Sequence, residues 1–234
     1  MSITTAQEAK KAIQNAKDST PEKAALFFKT QTGTYGAHEK FVGITVPTIR
    51  KIAKQAKTLS FFQLKILLQS VYNEERLLAL IILICQRRSD PEKLPAIVDF
   101  YLENKECVNN WNLVDASAHT ILGEYLIKKD KSILFEMIDS ENLWIRRIAI
   151  VATWAFIKEG NVKPTFMLAK KCFNDPEDLM HKAVGWMLRE AGKKDENALI
   201  DFLDQYWSKM PRTMLRYAIE RLPETQRQAV LRRR

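Results

Sequence analysis

Apolar residues recur at intervals of three and four through most of the chain, and strict alternation is rare. That spacing marks amphipathic helices rather than half-buried strands. It predicts helices near 5–17, 21–30, 46–57, 60–70, 73–87, 91–103, 108–127, 131–138, 142–158, 163–172, 177–191, 196–206, 211–221 and 224–231. Thr20, Asp90 and Asp175 each stand before a proline and an acid: Pro21 and Glu22, Pro91 and Glu92, Pro176 and Glu177. A capping side chain, a proline at the first helical position and an acid in the first turn all favour helix initiation there. Helices of ~15 residues or fewer, linked in pairs by short polar joints, are the signature of helical-hairpin repeats. No two repeats align by eye, so this reading rests on helix length and period. One stretch escapes the pattern, TQTGTYGAHEKFVGIT at 30–45, which holds three of the seven glycines. So long a loop in a chain of short connections is a candidate functional element.

Composition narrows the picture. Seven glycines and eight prolines leave few sites for tight β-turns, which disfavours a sandwich or barrel. Hydrophobic residues at 46% and charged residues at 28% argue against disorder. No stretch approaches the ~20 apolar residues of a membrane span. The polar start MSITTAQEAKKAIQNAK has no secretory-signal pattern, so no membrane partner is expected. Cys85, Cys107 and Cys172 are odd in number and far apart, which fits buried thiols in a reducing cytosol.

Net charge is +9, and its distribution matters more than its sum. Residues 1–60 carry ten Lys/Arg against four Asp/Glu, and 181–234 carry twelve against seven. The blocks between, 61–120 and 121–180, stand at six against eight and nine against nine. A curved stack with basic ends could grip a polyanion at two places, and a merely soluble lysine-rich surface would carry the same charge.

Three helices put polar residues where plain packing does not ask for them. Trp111, Asp115, Ala118, Leu122 and Tyr125 share one face, so a carboxylate sits one turn from a tryptophan. Leu143, Arg147, Ile150, Trp154 and Ile157 share another, interrupted by an arginine. On a third, Leu179, Ala183 and Trp186 continue to Glu190, with Arg189 alongside. A buried unpaired charge is very costly, so Asp115 and Arg147 should either pair or face a wet cleft. The pairing reading makes Trp111, Trp144 and Trp186 core residues. The cleft reading makes the aromatics beside a carboxylate a site for a cationic group. Periodicity leaves both open. His38, His119 and His181 lie on separate elements without metal-ligand spacing. No nucleotide-binding or nucleophile motif is present, so a site without metal or cofactor is expected.

At these residues the chain resembles the DNA alkylation repair family of HEAT-like glycosylases, the AlkD type. The resemblance runs through FVGITVPTIRKIAK (41–54), NEERLLAL (73–80), NNWNLVD (109–115), NLWIRR (142–147), HKAVGWMLREAGKK (181–194) and MPRTMLRYAIERLP (210–223). It implies an all-α, HEAT-like helical-hairpin repeat solenoid, curved, with a concave basic DNA-binding face, residues 1–234 forming one superhelix. The implied reaction is hydrolysis of the N-glycosidic bond of N3- or N7-alkylated purines in double-stranded DNA. The family's tryptophan–aspartate pair falls on Trp111 and Asp115, its arginine on Arg147 and its second aromatic on Trp186. Asp115 would stabilise an oxocarbenium-like sugar and orient water, with Trp111 and Trp186 packing on the damaged nucleotide. Arg147 would hold a phosphate or align Asp115. Arg50, Lys182, Arg189 and Arg212 are candidate backbone contacts. The family commonly has W-D-x-V-D, and here the second position is Asn112. A non-catalytic HEAT-like module binding damaged or branched DNA, or a protein, is the alternative. A basic concave face would repel its own copy, so a monomer is expected, in the cytoplasm and drawn to the nucleoid by DNA.

Overall fold

The computed structural model describes residues 2–232. All their regular structure is helical, apart from one isolated parallel bridge between Lys40 and Tyr72. None of these helices is long and apolar enough to cross a membrane. The chain divides into two compact units, Met1–Ser117 and Ala118–Arg234.

The first unit contains α1 (Ala6–Asn15), α2 (Pro21–Phe28), α3 (Val46–Gln55), α4 (Phe61–Leu68), α5 (Asn73–Ser89), α6 (Leu94–Glu103) and the start of α7 (Trp111–Ala118). α1 opens on a capping box, in which Thr5 receives the Glu8 N–H and Glu8 reaches back to the Thr5 N–H. Ala6, Ala9 and Ile13 then repeat at helical spacing and are buried. α5 is the axis of the unit. It is buried on all sides from Asn73 to Ile84, and α3, α4 and α6 pack against it. From Leu77 to Ile84 it is apolar all round and so has to be interior, whereas the buried Asn73, Glu74, Glu75 and Arg76 of its first turn are polar. α1 completes the layer by resting on α3 and α4.

The second unit contains α8 (Glu124–Leu126), α9 (Ser132–Met137), α10 (Leu143–Ala152), α11 (Trp154–Lys158), α12 (Lys163–Lys171), α13 (Asp178–Gly192), α14 (Glu196–Tyr206), α15 (Arg212–Ala218) and α16 (Glu224–Arg232). Here α13 is central and carries α10, α11, α12, α14 and α15 on its flanks. Gly185 sets its closest approach. A Cβ there would lie 2.5 Å from Tyr217 Cβ and 2.6 Å from the Met214 carbonyl oxygen, so α13 and α15 can touch only over a glycine.

The periodicity located every one of these segments except where local chemistry cut it. The expected helix 108–127 widens its hydrogen-bond spacing in a π-helical turn, His119–Gly123. Gly123 there faces the Ala152 carbonyl and the Ala155 Cβ, leaving no room for a side chain. The helix expected at 142–158 breaks at Thr153, whose hydroxyl donates to the Ile150 carbonyl at 2.7 Å, a local competitor to the helical ladder. α2 ends at Phe28 because Lys29 turns left-handed, φ 52°. Of the three expected caps, Thr20 receives the Lys23 N–H, whereas Asp90 makes no side-chain cap bond and is followed by a 3-10 turn, Pro91–Lys93. Asp175 is committed elsewhere, as shown below. Cys172 alone of the cysteines is buried, and burial pushes its thiol up to about 12; Cys85 and Cys107 are half-exposed, contrary to expectation.

Candidate functional site

In the first unit the long loop is not slack. The first turn of α5 holds it by backbone and side chain together. Asn73 N–H donates to the Lys40 carbonyl at 2.9 Å. The Glu74 carboxylate receives the N–H groups of Val42 and Gly43 at 2.9–3.0 Å. Gly43 has φ +91°, and a Cβ on it would meet the Ser19 carbonyl at 2.8 Å and Pro21, so only glycine fits this crossing. The motif NEERLLAL is therefore a loop anchor at its polar end and core at its apolar end.

Glu39, from the same loop, has a fully buried side chain. Its Oε2 receives Arg76 Nη2 at 2.5 Å, and its Oε1 receives Asn73 Nδ2 at 2.9 Å and Asn110 Nδ2 at 2.7 Å. Asn110 Oδ1 receives the Trp111 N–H at 2.7 Å, at the very start of α7. Asn112 and Asn73 exchange side-chain hydrogen bonds, 2.7 Å in one direction and 3.3 Å in the other. The position where the resembled family commonly has aspartate thus carries a neutral amide matched to another amide. Buried polar groups must be satisfied, and here every amide of the cluster is.

Trp111 is half-buried and belongs to an aromatic series that periodicity did not reveal. It stacks on Phe28 (centroids 5.0 Å apart, planes at 20°), and Phe28 stacks on Phe41 at 4.8 Å. Phe27, 66% exposed, meets Trp111 edge-on at 5.5 Å. Trp111 therefore has one face already covered. Asp115 is half-buried one turn further along α7. The buried Tyr101 phenol is held well above its usual range by burial; its hydrogen bond with Ser117 opposes this, and the Asp115 charge adds to it.

In the second unit Arg147 on α10 is 5% exposed, and its Nη1 donates to the Leu179 carbonyl on α13 at 2.6 Å. Trp186 on α13 is half-buried and packs edge-on against Trp154 at 5.2 Å; Trp154 in turn contacts His119 at 4.6 Å. Arg146 grips Asp175 with two bonds, Nε–Oδ2 at 2.7 Å and Nη2–Oδ1 at 3.1 Å. This is why Asp175 does not simply cap a helix: its carboxylate is shared between Arg146 and the Glu177 N–H. Trp144 is buried, as the packing reading expected.

The proposed backbone-contact cations differ in their engagement. Arg50 on α3 and Arg212 at the start of α15 are exposed and make no ion pair among the described residues. Lys182 lies 2.7 Å from Asp178 one turn earlier. Together with Thr213, Arg216, Tyr217 and Glu220 these two line a polar surface cavity of about 460 Å³. Arg189 pairs with Glu220 and lies 3.4 Å from Glu190, so an incoming anion has to displace carboxylates from it. The sequence had flagged Trp111, Asp115, Arg147 and Trp186 by interrupted stripes. It assigns no role to Phe28, Phe41, Glu39 or Asn110, although Phe41 and Asn110 lie inside the motifs that carry the resemblance and Glu39 is an acid inside the glycine-containing loop.

Comparison with known proteins adds an identity to this geometry. The model of a family described as DNA alkylation repair enzyme matches residues 9–222. Among solved structures, a predicted DNA alkylation repair enzyme from Enterococcus faecalis superposes with a TM-score of 0.67 at 18% sequence identity, over 89% of this chain and 98% of that one. At that identity the likeness establishes the all-α fold. No curated protein matches the chain.

Proposed function

Because the chain belongs to the DNA alkylation repair enzyme family, we propose that it hydrolyses the N-glycosidic bond of N3- or N7-alkylated purines in double-stranded DNA. The observation that carries this reading is Asp115, a half-buried carboxylate one turn from a tryptophan stacked on Phe28. An alkylated purine is already cationic and leaves without protonation by the protein. The cost of the reaction lies in the positive charge that develops on the sugar. A half-buried carboxylate held beside the sugar lowers that cost and orients the attacking water.

Trp111, stacked in series with Phe28 and Phe41, offers its uncovered part as a wall for the nucleotide beside Asp115, and its electron-rich ring favours a cation; the proposed role of Trp186, in the second unit, rests on the family resemblance alone. Arg147 is buried against the Leu179 carbonyl, which limits its reach to a phosphate and favours an orienting role. The phosphate contacts then fall to Arg50, Lys182, Arg189 and Arg212. No residue in this scheme requires a metal or cofactor.

The test is release of free base from a duplex containing 7-methylguanine and 3-methyladenine. Wild-type protein should release base, and Asp115→Asn should do so slower by roughly two orders of magnitude, as for loss of one electrostatic contact in a transition state. Its melting temperature should stay close to that of the wild type. Folded wild-type protein that binds the duplex and releases nothing would leave a DNA-binding module in place of an enzyme.

A further inference from the structure

Glu39 does more than neutralise Arg76. An ion pair with Arg76 engages one carboxylate oxygen; the other accepts from two asparagine amides, Asn73 and Asn110, with His38 Nε2 3.6 Å away, beyond hydrogen-bond reach. An asparagine side chain can enter a site either way round, and each half-turn exchanges donor for acceptor. A carboxylate is acceptor-only, so it admits one orientation of each neighbour. With its amino group on Glu39, Asn110 must turn its carbonyl oxygen to the Trp111 N–H. With its amino group on Glu39, Asn73 must turn its carbonyl oxygen to Asn112. One buried carboxylate from the loop thereby fixes residues 110–112, the first turn of the helix that carries Trp111 and Asp115.

We infer that Glu39 is a positioning residue for the Trp111–Asp115 turn, acting through the orientation of the Asn110 and Asn73 amides. The inference rests on reading that turn as the reactive one. It also accounts for Asn112: a carboxylate there would face the Asn73 carbonyl oxygen, whereas an amide completes a matched pair.

The experiment compares wild type, Glu39→Gln and the double variant Glu39→Gln/Asn110→Asp. Glutamine places an amino group where two amides donate. Asn110 can escape only by turning its own amino group onto the Trp111 N–H, donor against donor. In the double variant the charges are exchanged and the polarity restored. The glutamine amino group at position 39 donates to the carboxylate at position 110. That carboxylate again accepts from the Trp111 N–H, and Arg76 keeps the amide carbonyl oxygen at position 39. The Asn73–Asn112 pair turns over as a unit and stays matched.

Glu39→Gln should lower kcat for base release by roughly ten- to a hundredfold with KM little changed, the scale of a small misplacement of reacting groups. Its Trp111 amide should exchange hydrogen faster, while slow amides in α3 keep their wild-type ratio to one another. The double variant should recover most of both losses. Glu39→Gln with wild-type kcat and wild-type Trp111 exchange, however much it lowers the melting temperature, would reduce Glu39 to a structural counter-charge. A double variant no better than the single would do the same. If wild type releases no base, the glycosylase reading fails, and Trp111 exchange in the three proteins still decides the role of Glu39. Should Glu39→Gln not fold, Asn110→Ala leaves the Glu39–Arg76 pair in place. It should show the same kcat loss and the same selective exchange at Trp111; wild-type values for both would overturn the inference.

Discussion

Arg76 in the first unit and Arg146 in the second stand six residues after a serine, and each donates Nη1 to that serine's carbonyl, at 2.8 Å and 2.9 Å. The serine hydroxyls match as well, receiving the N–H groups of Tyr72 and Asn142 two residues on. From there the two regions diverge. Arg76 meets a carboxylate with no exposed surface, whose other oxygen accepts from two asparagine amides. Arg146 keeps 11% of its side chain exposed and clasps Asp175, which retains the Glu177 N–H as a second donor. The next position differs too: Leu77 continues the core in one unit, and Arg147 adds a second buried cation in the other. The same local device at the head of a core helix thus anchors a loop in one place and a helix start in the other. What distinguishes them is how far water is excluded from the acid, because desolvation sets the cost of leaving a charge unpaired.

The largest effect expected from this contrast is at Arg76. Arg76→Met leaves the fully buried Glu39 charge with only the neutral Asn73 and Asn110 amides and no water to replace the cation, and should cost about 3–5 kcal/mol, read as a lowered denaturation midpoint. Arg146→Met should cost less, about 2–3 kcal/mol, because the Asp175 side chain keeps 5% of its surface exposed where Glu39 keeps none, and the backbone donor Glu177 N–H stays with it. Equal losses, or a larger loss at Arg146, would break the comparison.

The smallest effect belongs to a carboxylate outside both cores. Asp18 is exposed, and its carboxyl is held below the usual range, first by the Thr48 hydroxyl, then by the Thr45 N–H and hydroxyl. A folded-state pKa depressed in this way contributes stability above the unfolded carboxylate range, and the contribution disappears as pH falls through the folded value. Melting curves of wild type and Asp18→Asn should therefore separate slightly near neutrality and converge in acid. Separation that grows in acid would show that the threonines bind the neutral acid instead.

The pattern of apolar positions was enough to place the helices, and the Trp111–Asp115 spacing was enough to mark α7. These are local properties. A hydrogen bond to the fourth residue back, a proline at the first turn and a side chain one turn away are decided by neighbours in sequence. Where local chemistry competed with the helix, at Lys29, the π-helical turn His119–Gly123 and Thr153, periodicity overran the true boundary because it counts apolar faces and not hydrogen bonds. The pairing of the buried charges lay beyond it altogether. Glu39 finds Asn73, Arg76 and Asn110 at separations of 34, 37 and 71 residues. Asp175, a cap by sequence, finds Arg146 at 29. A polar side chain near the start of a helix has several satisfactory partners in an open chain. Only when packing removes water does one combination match the Glu39 carboxylate and the asparagine amides around it, and that choice belongs to the tertiary structure.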